Sequence, residues 1–276
     1  MQNDHKWDRL RSLLADMGMS VIAFSGGVDS AVLLRVAANI MGPNLIAVTA
    51  VSDTYPPGEL DLAKAFAASI GIRHRIIPST ELDQEAFVQN GPDRCYYCKR
   101  DLFLTLRRIA ESEGIPHVLD GTNADDRRDY RPGRRAAEEL GVRSPLAEAD
   151  LTKQDIREKA RELDLPMWDK PSLACLSSRI PYGTRITPGL LQKIHSAELV
   201  VKGIGLRQVR VRHHGDTARI EIALEEFPKV LERGAQQRIV TSLKELGYVY
   251  VCLDLQGFRS GSMNEVITKE QVAKSS

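Results

Sequence analysis

Near the start of the chain, Ser25-Gly26-Gly27-Val28-Asp29-Ser30 lies between two segments of different character. Ser20-Val21-Ile22-Ala23-Phe24, just ahead of it, is a short apolar run that predicts a buried strand. Ala31-Val32-Leu33-Leu34-Arg35-Val36-Ala37, just behind it, predicts a helix with apolar residues on more than one face. A strand, a tight loop and a helix bring the unpaired amides of the first helical turn to one point, where the helix dipole favours an anion. Two adjacent glycines let the backbone turn sharply and approach a phosphate closely. Ser25 and Ser30 add hydroxyl donors. The hexapeptide therefore predicts nucleotide chemistry, although a plain glycine turn would have the same outline.

The loop is not a Walker A motif, because no Gly-Lys-Ser/Thr follows the glycines. It resembles the PP-loop of the ATP pyrophosphatase superfamily. That resemblance implies binding of the pyrophosphate end of ATP, transfer of AMP to a substrate oxygen, and displacement of the AMP by a nucleophile. It does not by itself specify the substrate.

At 276 residues, the chain can bury one large core or two modest ones. Its 42% hydrophobic and 27% charged residues fit a globular protein. A net charge of +1 argues against nucleic-acid binding by bulk electrostatics, though local basic patches remain open. No apolar run reaches membrane-spanning length, and Met1 to Trp7 holds no signal-type segment, so the expected location is cytoplasmic with no membrane partner. Four cysteines are too few for a disulfide scaffold.

Along the chain, Lys6 to Met17 predicts a leading helix, and Asn44 to Val51 a second parallel strand. Pro56-Pro57 opens a helix over Glu59 to Ile70 that Gly71 ends, and Arg73 to Pro78 is a third strand. Leu102 to Ile109 predicts a helix, and His117 to Thr122 a fourth strand that delivers polar residues at its carboxyl end. Asn123 to Arg135 is a charged stretch, either a solvated loop or a basic patch. Gly133 to Leu140 and Lys153 to Leu163 predict helices, the second capped by Thr152. Alternating strands and helices imply a mostly parallel sheet with ligands at its carboxyl edge. Thr122 and Asn123 fall at that edge.

Met167 to Thr187 breaks the period with Pro171, Pro181, Trp168, Tyr182 and Cys175, so it reads as a functional loop or linker. The expected division is a nucleotide-binding domain over 1–170, an active-site loop over 171–187 and a small α+β domain over 188–276. In the last of these, Leu190 to Val201 predicts a helix, and Gln208 to Arg212 and Ala218 to Ile222 predict a hairpin turned at His213 to Asp216. A helix over Glu226 to Leu246, a strand over Tyr248 to Leu253 and a polar tail from Ile267 follow, and the pairing is expected to be antiparallel.

Cys95-Tyr96-Tyr97-Cys98 lies at an expected helix start, where the dipole favours thiolate. Such a pair suits a redox disulfide, half of a zinc site or part of an iron–sulfur site. Zinc would need Cys175 as a third ligand and His74 or His117 as a fourth, without diagnostic spacing. Three thiolates on an iron–sulfur cluster would leave one iron open. Unrelated cysteines are the plain alternative, and Cys252, among Val249, Tyr250, Val251 and Leu253, reads as core.

Two further stretches narrow the resemblance: Pro171 to Gly183, around Cys175, and Asp120-Gly121-Thr122-Asn123-Ala124-Asp125-Asp126 running on to Gly133. Both resemble LarE, the ATP-dependent sulfur transferases that help build the nickel-pincer nucleotide of lactate racemase. The likeness covers nearly the whole chain. It implies an α/β fold, with a Rossmann-like sheet of the adenine nucleotide alpha hydrolase-like kind and a smaller C-terminal α+β domain. It implies that a carboxylate of a pyridinium-3,5-dicarboxylate mononucleotide is adenylated and that sulfur replaces AMP, giving a thiocarboxylate. One branch of the family sacrifices the sulfur of the cysteine matching Cys175. In another branch, three cysteines matching Cys95, Cys98 and Cys175 hold a 4Fe–4S cluster with an added sulfide. With all three present, this chain resembles the cluster branch.

By the same resemblance, Ser25, Gly26, Gly27, Asp29, Ser30, Thr122 and Asn123 would bind ATP, and Asp29 would hold Mg²⁺. Arg210 and Arg212 would bind the substrate phosphate, and Glu198 would act with Cys175, Cys95 and Cys98 in catalysis. The expected partners are the nucleotide substrate, sulfide or another sulfur donor, and further copies of the chain. Without the resemblance, the two arginines would read as a solvent-facing strand and Glu198 as surface. Two rival chemistries share the loop: tRNA thiolation, which needs a broad basic surface, and ammonia-using ligation, which has no use for three cysteines. A non-catalytic nucleotide sensor is the third alternative.

Overall fold

The computed structural model describes residues 2–52, 55, 58–128, 132–170, 174–259 and 261–266. Expectations for Pro56-Pro57, for 129–131, for 171–173 at the start of the Cys175 stretch, and for the tail from Ile267 lie outside the described residues.

The first part of the chain runs α1 (Gln2–Met17), β1 (Ser20–Ala23), α2 (Val28–Met41), β2 (Leu45–Val51), α3 (Glu59–Ser69), β3 (Arg73–Pro78), α4 (Glu85–Val88), α5 (Arg94–Ser112) and β4 (His117–Leu119). Then come α6 (Pro132–Glu139), α7 (Pro145–Glu148) and α8 (Lys153–Glu162). The four strands pair in parallel in the order β3-β2-β1-β4. Strand alternation explains how both faces are covered. Ile22, Leu45 and Ala47 join the core under α1, α2 and α8. Val21, Ile46 and Val48, one position away, join the core under α5 and α6. The sheet is thus an α/β layer buried on both sides, with the expected helices in place. β4 is shorter than expected because Asp120 leaves the sheet, its amide donating to Arg143 O at 2.9 Å. Thr152 caps α8 through a reciprocal bond pair with Asp155.

The second part contains α9 (Pro188–Lys202), β5 (Val209–His214), β6 (Thr217–Ile222), α10 (Phe227–Leu231), α11 (Arg233–Glu245) and β7 (Tyr250–Leu253). Its core gathers Val209, Val211, Ala218, Ile220, Ile239 and Leu243. Three expectations change here. The hairpin turn is only Gly215-Asp216, with Gly215 at φ +61°, a conformation that glycine adopts without penalty. The helix over 226–246 is two helices, because Glu232 is extended (φ −58°, ψ 129°). β5 and β6 are antiparallel, but β6 and β7 run parallel, as a helical crossover from β6 to β7 requires.

A smaller apolar cluster links the two parts: Phe87 and Val88 of α4 pack with Leu176, Ile180, Ile186, Leu191 and Ile194. Buried Asn90 reinforces it, its Nδ2 donating to Pro181 O at 2.8 Å and Thr184 O at 3.0 Å. Among the described residues, no helix is long and apolar enough to cross a membrane.

Candidate active site

The glycine loop leaves β1 and enters α2. Gly26 takes φ +73°, and a Cβ there would lie 3.4 Å from Tyr55 Oη, so both strain and crowding favour glycine. Ser25 and Ser30 close the loop: their hydroxyls lie 3.1 Å apart, and Ser30 Oγ donates to Gly27 O at 3.1 Å. No side chain caps α2, which leaves its first amides available for an anion.

The end of β4 packs directly on this turn. A Cβ at Gly121 would come within 3.0 Å of Ser30 N, so the glycine is what permits the approach. Asn123 Nδ2 then reaches Asp29 Oδ1 at 3.2 Å. Thr122 turns away from the loop: its hydroxyl donates to Asp120 at 2.7 Å, and Ser144 donates to the same carboxylate at 2.7 Å. The predicted Asp29–Asn123 grouping therefore forms, whereas Thr122 braces it. Lys153, at the start of α8, pairs with Asp29 and was not among the predicted residues. The Asp29 carboxylate is an oxygen donor of the kind a hard cation such as Mg²⁺ takes, whereas Asn123 turns its amide nitrogen toward it and uses its Oδ1 to accept from Asp125 N and Asp126 N.

The cysteines gather across the helix α5 and the segment after residue 173. Cys95 and Cys175 are exposed, and Cys98 is half-buried against the apolar cluster that links the two parts. Burial first, then the proximity of Cys175 and Glu81, pushes the Cys98 thiol up to about 12. Glu81 is itself buried and accepts from Ser52 and Ser79. Because Ser52 and Ser79 follow β2 and β3, the sulfur site borders the same carboxyl edge of the sheet as the glycine loop.

Among the described residues, no group of three or more His, Cys, Asp or Glu side chains could hold a single metal ion. His74 bonds Thr49 Oγ1 at 2.8 Å, and His117 begins β4 at the far end of the sheet, so neither completes a zinc set. A cubane makes a different demand, because each thiolate meets its own iron. Cys95, Cys98 and Cys175 lie within electrostatic reach of one another, and to serve such a cluster the buried Cys98 thiol would have to give up its proton to iron. Cys252 is exposed rather than core: β7 is an edge strand, and alternation turns residue 252 outward.

Arg179 organises the loop and was not predicted. Only 2% exposed, it donates to Ala174 O at 2.7 Å and Cys175 O at 3.0 Å and pairs with Glu198 at 2.8 Å. Glu198 also accepts from Val211 N at 3.1 Å. Glu198 thus locks α9, β5 and the Cys175 loop together. Arg210 and Arg212 share one face of β5, as alternation predicts. Arg212 is tied down, donating to Glu221 at 2.7 Å, Ser178 O at 3.0 Å and Ser262 Oγ at 3.1 Å. Arg210 lies over the Phe258 ring at 5.5 Å. Burial first, and then Arg179 and Arg212, pull its guanidinium down to about 10. Arg179, Arg212 and Arg219 pair with Glu198, Glu221 and Asp254 beside Arg210, so guanidiniums gather on this face of β5.

A cavity of about 450 Å³ opens elsewhere, between α2, α3 and the 163–170 segment, and none of the predicted site residues lines it.

The fold and its glycine loop define a PP-loop nucleotide-binding protein. The asparagine synthase family model, a PP-loop domain, matches residues 13–127. Over 265 residues the chain is 39% identical to the pyridinium-3,5-bisthiocarboxylic acid mononucleotide synthase of Lactiplantibacillus plantarum, covering 96% of this chain and 95% of that one. It is 42% identical over 266 residues to the uncharacterized protein slr1717 of Synechocystis sp., covering 96% and 99% of the two chains. An NH(3)-dependent NAD(+) synthetase of Chlorobaculum tepidum is 30% identical over 167 residues, 58% of each chain. The chain belongs to the LarE family.

Proposed function

We propose that the chain adenylates a carboxylate of a pyridinium-3,5-dicarboxylate mononucleotide and replaces the AMP with sulfur. Its place in the LarE family supports this substrate. The observation that carries the reading is Arg179, which holds the Cys175 carbonyl and the Glu198 carboxylate in one guanidinium beside Arg210 and Arg212. Such an assembly brings a sulfur nucleophile next to an anion-binding face.

In this scheme the α2 amides, Ser25, Ser30 and Lys153 bind the pyrophosphate end of ATP, and Asp29, oriented by the Asn123 amide, would hold Mg²⁺. The substrate carboxylate attacks the α-phosphorus and pyrophosphate leaves. Arg210, together with the anchored Arg212 beside it, takes the substrate phosphate. A sulfur lone pair then forms the carbon–sulfur bond while the carbon–oxygen bond to AMP breaks, and AMP departs with the electron pair. Cys95, Cys98 and Cys175 would hold the 4Fe–4S cluster. A cluster bound there supplies anionic sulfide and leaves Cys175 intact after turnover. Glu198 acts by positioning Arg179. The division of labour follows the expected units: activation over 1–170, sulfur delivery by the 171–187 loop with Cys95 and Cys98 of the first unit, and substrate phosphate binding over 188–276, with the chain working as a homo-oligomer in the cytoplasm.

The test is AMP release by anoxically purified protein offered the pyridinium dicarboxylate mononucleotide, tRNA or ammonia with NAD precursors, together with iron analysis. The reading expects AMP release and thiocarboxylate with the first substrate only, and about four irons per chain. AMP release driven by tRNA or ammonia would overturn the substrate. Dehydroalanine at Cys175 after turnover would replace the cluster with the sacrificial route.

A further inference from the structure

Arg94 opens α5 immediately before Cys95 and is only 5% exposed. Its Nη1 donates to Asn90 Oδ1 and, at 2.9 Å, to the carbonyl of Ser177 in the Cys175 loop. The guanidinium lies 5.5 Å from the centre of the Tyr182 ring. Its Nε is buried and has no hydrogen-bond partner. No carboxylate among the described residues pairs with it, and the adjacent Asp93 keeps a buried, unpartnered oxygen of its own. A buried cation without a countercharge is costly, so such groups are ordinarily paired. The potential anions around it are sulfurs. Cys95 and Cys175, followed by Tyr182, are the acidic groups within electrostatic reach of its guanidinium.

We propose that Arg94 is a positioning residue for anionic sulfur, fixing the Cys175 loop through Ser177 and serving as the buried countercharge, through its free Nε–H, to the sulfur anion between Cys95 and Cys175. The proposal rests on the sulfur-transfer reading and names the group that stabilises the attacking anion. It explains why an arginine is buried at this helix start without a carboxylate. It also gives the two routes, sacrificial cysteine and cluster sulfide, a shared requirement, since both pass through negative sulfur at the same place. Arginine keeps its charge in a buried site, which lysine does less reliably.

The test measures local charge at Cys175 on the full chain purified without iron. Alkylation rates at Cys175 are read by peptide mass spectrometry with iodoacetate, which is anionic, and iodoacetamide, which is neutral. In the wild type, the iodoacetate-to-iodoacetamide rate ratio should exceed that of a neutral model thiol, N-acetylcysteine amide. In Arg94→Gln the ratio should fall about tenfold, the scale set by one nearby opposite charge. Arg94→Lys should restore most of it. A purely structural role would change both rates together and leave the ratio unmoved, and that result would overturn the proposal. If Arg94→Gln fails to fold, a wild-type ratio no higher than that of the model thiol overturns it equally. Failure of the underlying reading looks different: the wild-type ratio would be raised, but the protein would form no thiocarboxylate.

Discussion

The glycine loop and the Cys175 loop do complementary work and are built in opposite ways. The first spans Ser25 to Ser30 and closes on itself through bonds three to five residues apart. The second makes a single short turn over Leu176–Arg179, where its own Arg179 donates to the carbonyls of residues 174 and 175, and it is held from outside by Arg94 and Arg212, which donate to the carbonyls of residues 177 and 178. A phosphate site can be made from backbone amides and glycine geometry. A site that must present a reactive sulfur beside a bound substrate needs side chains from distant segments. Damage to the first should therefore cost chemistry, and damage to the second should cost both chemistry and fold.

Arg179→Ala should have the largest effect. It removes one partner of a buried pair and frees two carbonyls, and it should lower unfolding free energy by about 3–5 kcal/mol in urea titrations. Asp29→Ala makes the opposite case. Its pair with Lys153 is partly exposed, so stability should change by no more than about 1 kcal/mol, while AMP formation falls about a hundredfold. Equal losses of stability in the two variants would break the contrast. Gly26→Ala is intermediate. It places a Cβ on a φ of +73° and should cost about 1–2 kcal/mol of stability together with weaker ATP binding.

The smallest effect is set by pH and reports on the nucleotide unit. Burial, and secondly Lys64, holds His74 below its ordinary 6.5. The folded state therefore binds this proton less readily than the unfolded state. The stabilising contribution is full above about 6.5 and is lost as pH falls through that value toward the lower folded one. His74→Gln should flatten the stability curve in this window, and an unchanged slope would assign the acid loss to His213 and His214, which burial also holds low.

The contrast also explains what the sequence reveals. The hexapeptide is contiguous, so its strand–loop–helix context can be read directly, and Asn123 falls beside Asp29 because strand ends collect ligands in such sheets. The parallel order of β1 to β4 follows from alternating strands and helices, and Arg210 and Arg212 share a face because strands alternate. Arg94 and Arg179 are not legible in the same way. Each looks like an ordinary charged residue until the fold carries it against a loop more than eighty residues away, in the case of Arg94, or onto α9, in the case of Arg179. Lys153 is similar, 124 positions from Asp29. The parallel β7 is hidden for another reason: two broken helices look like one until Glu232 is seen extended.

The most direct test of the account is Cys175→Ala, supplied with ATP, Mg²⁺ and the pyridinium-3,5-dicarboxylate mononucleotide. If activation and sulfur delivery belong to the two loops in turn, the variant releases pyrophosphate and accumulates the acyl-adenylate without forming thiocarboxylate. Thiocarboxylate formed at the wild-type rate would contradict the account.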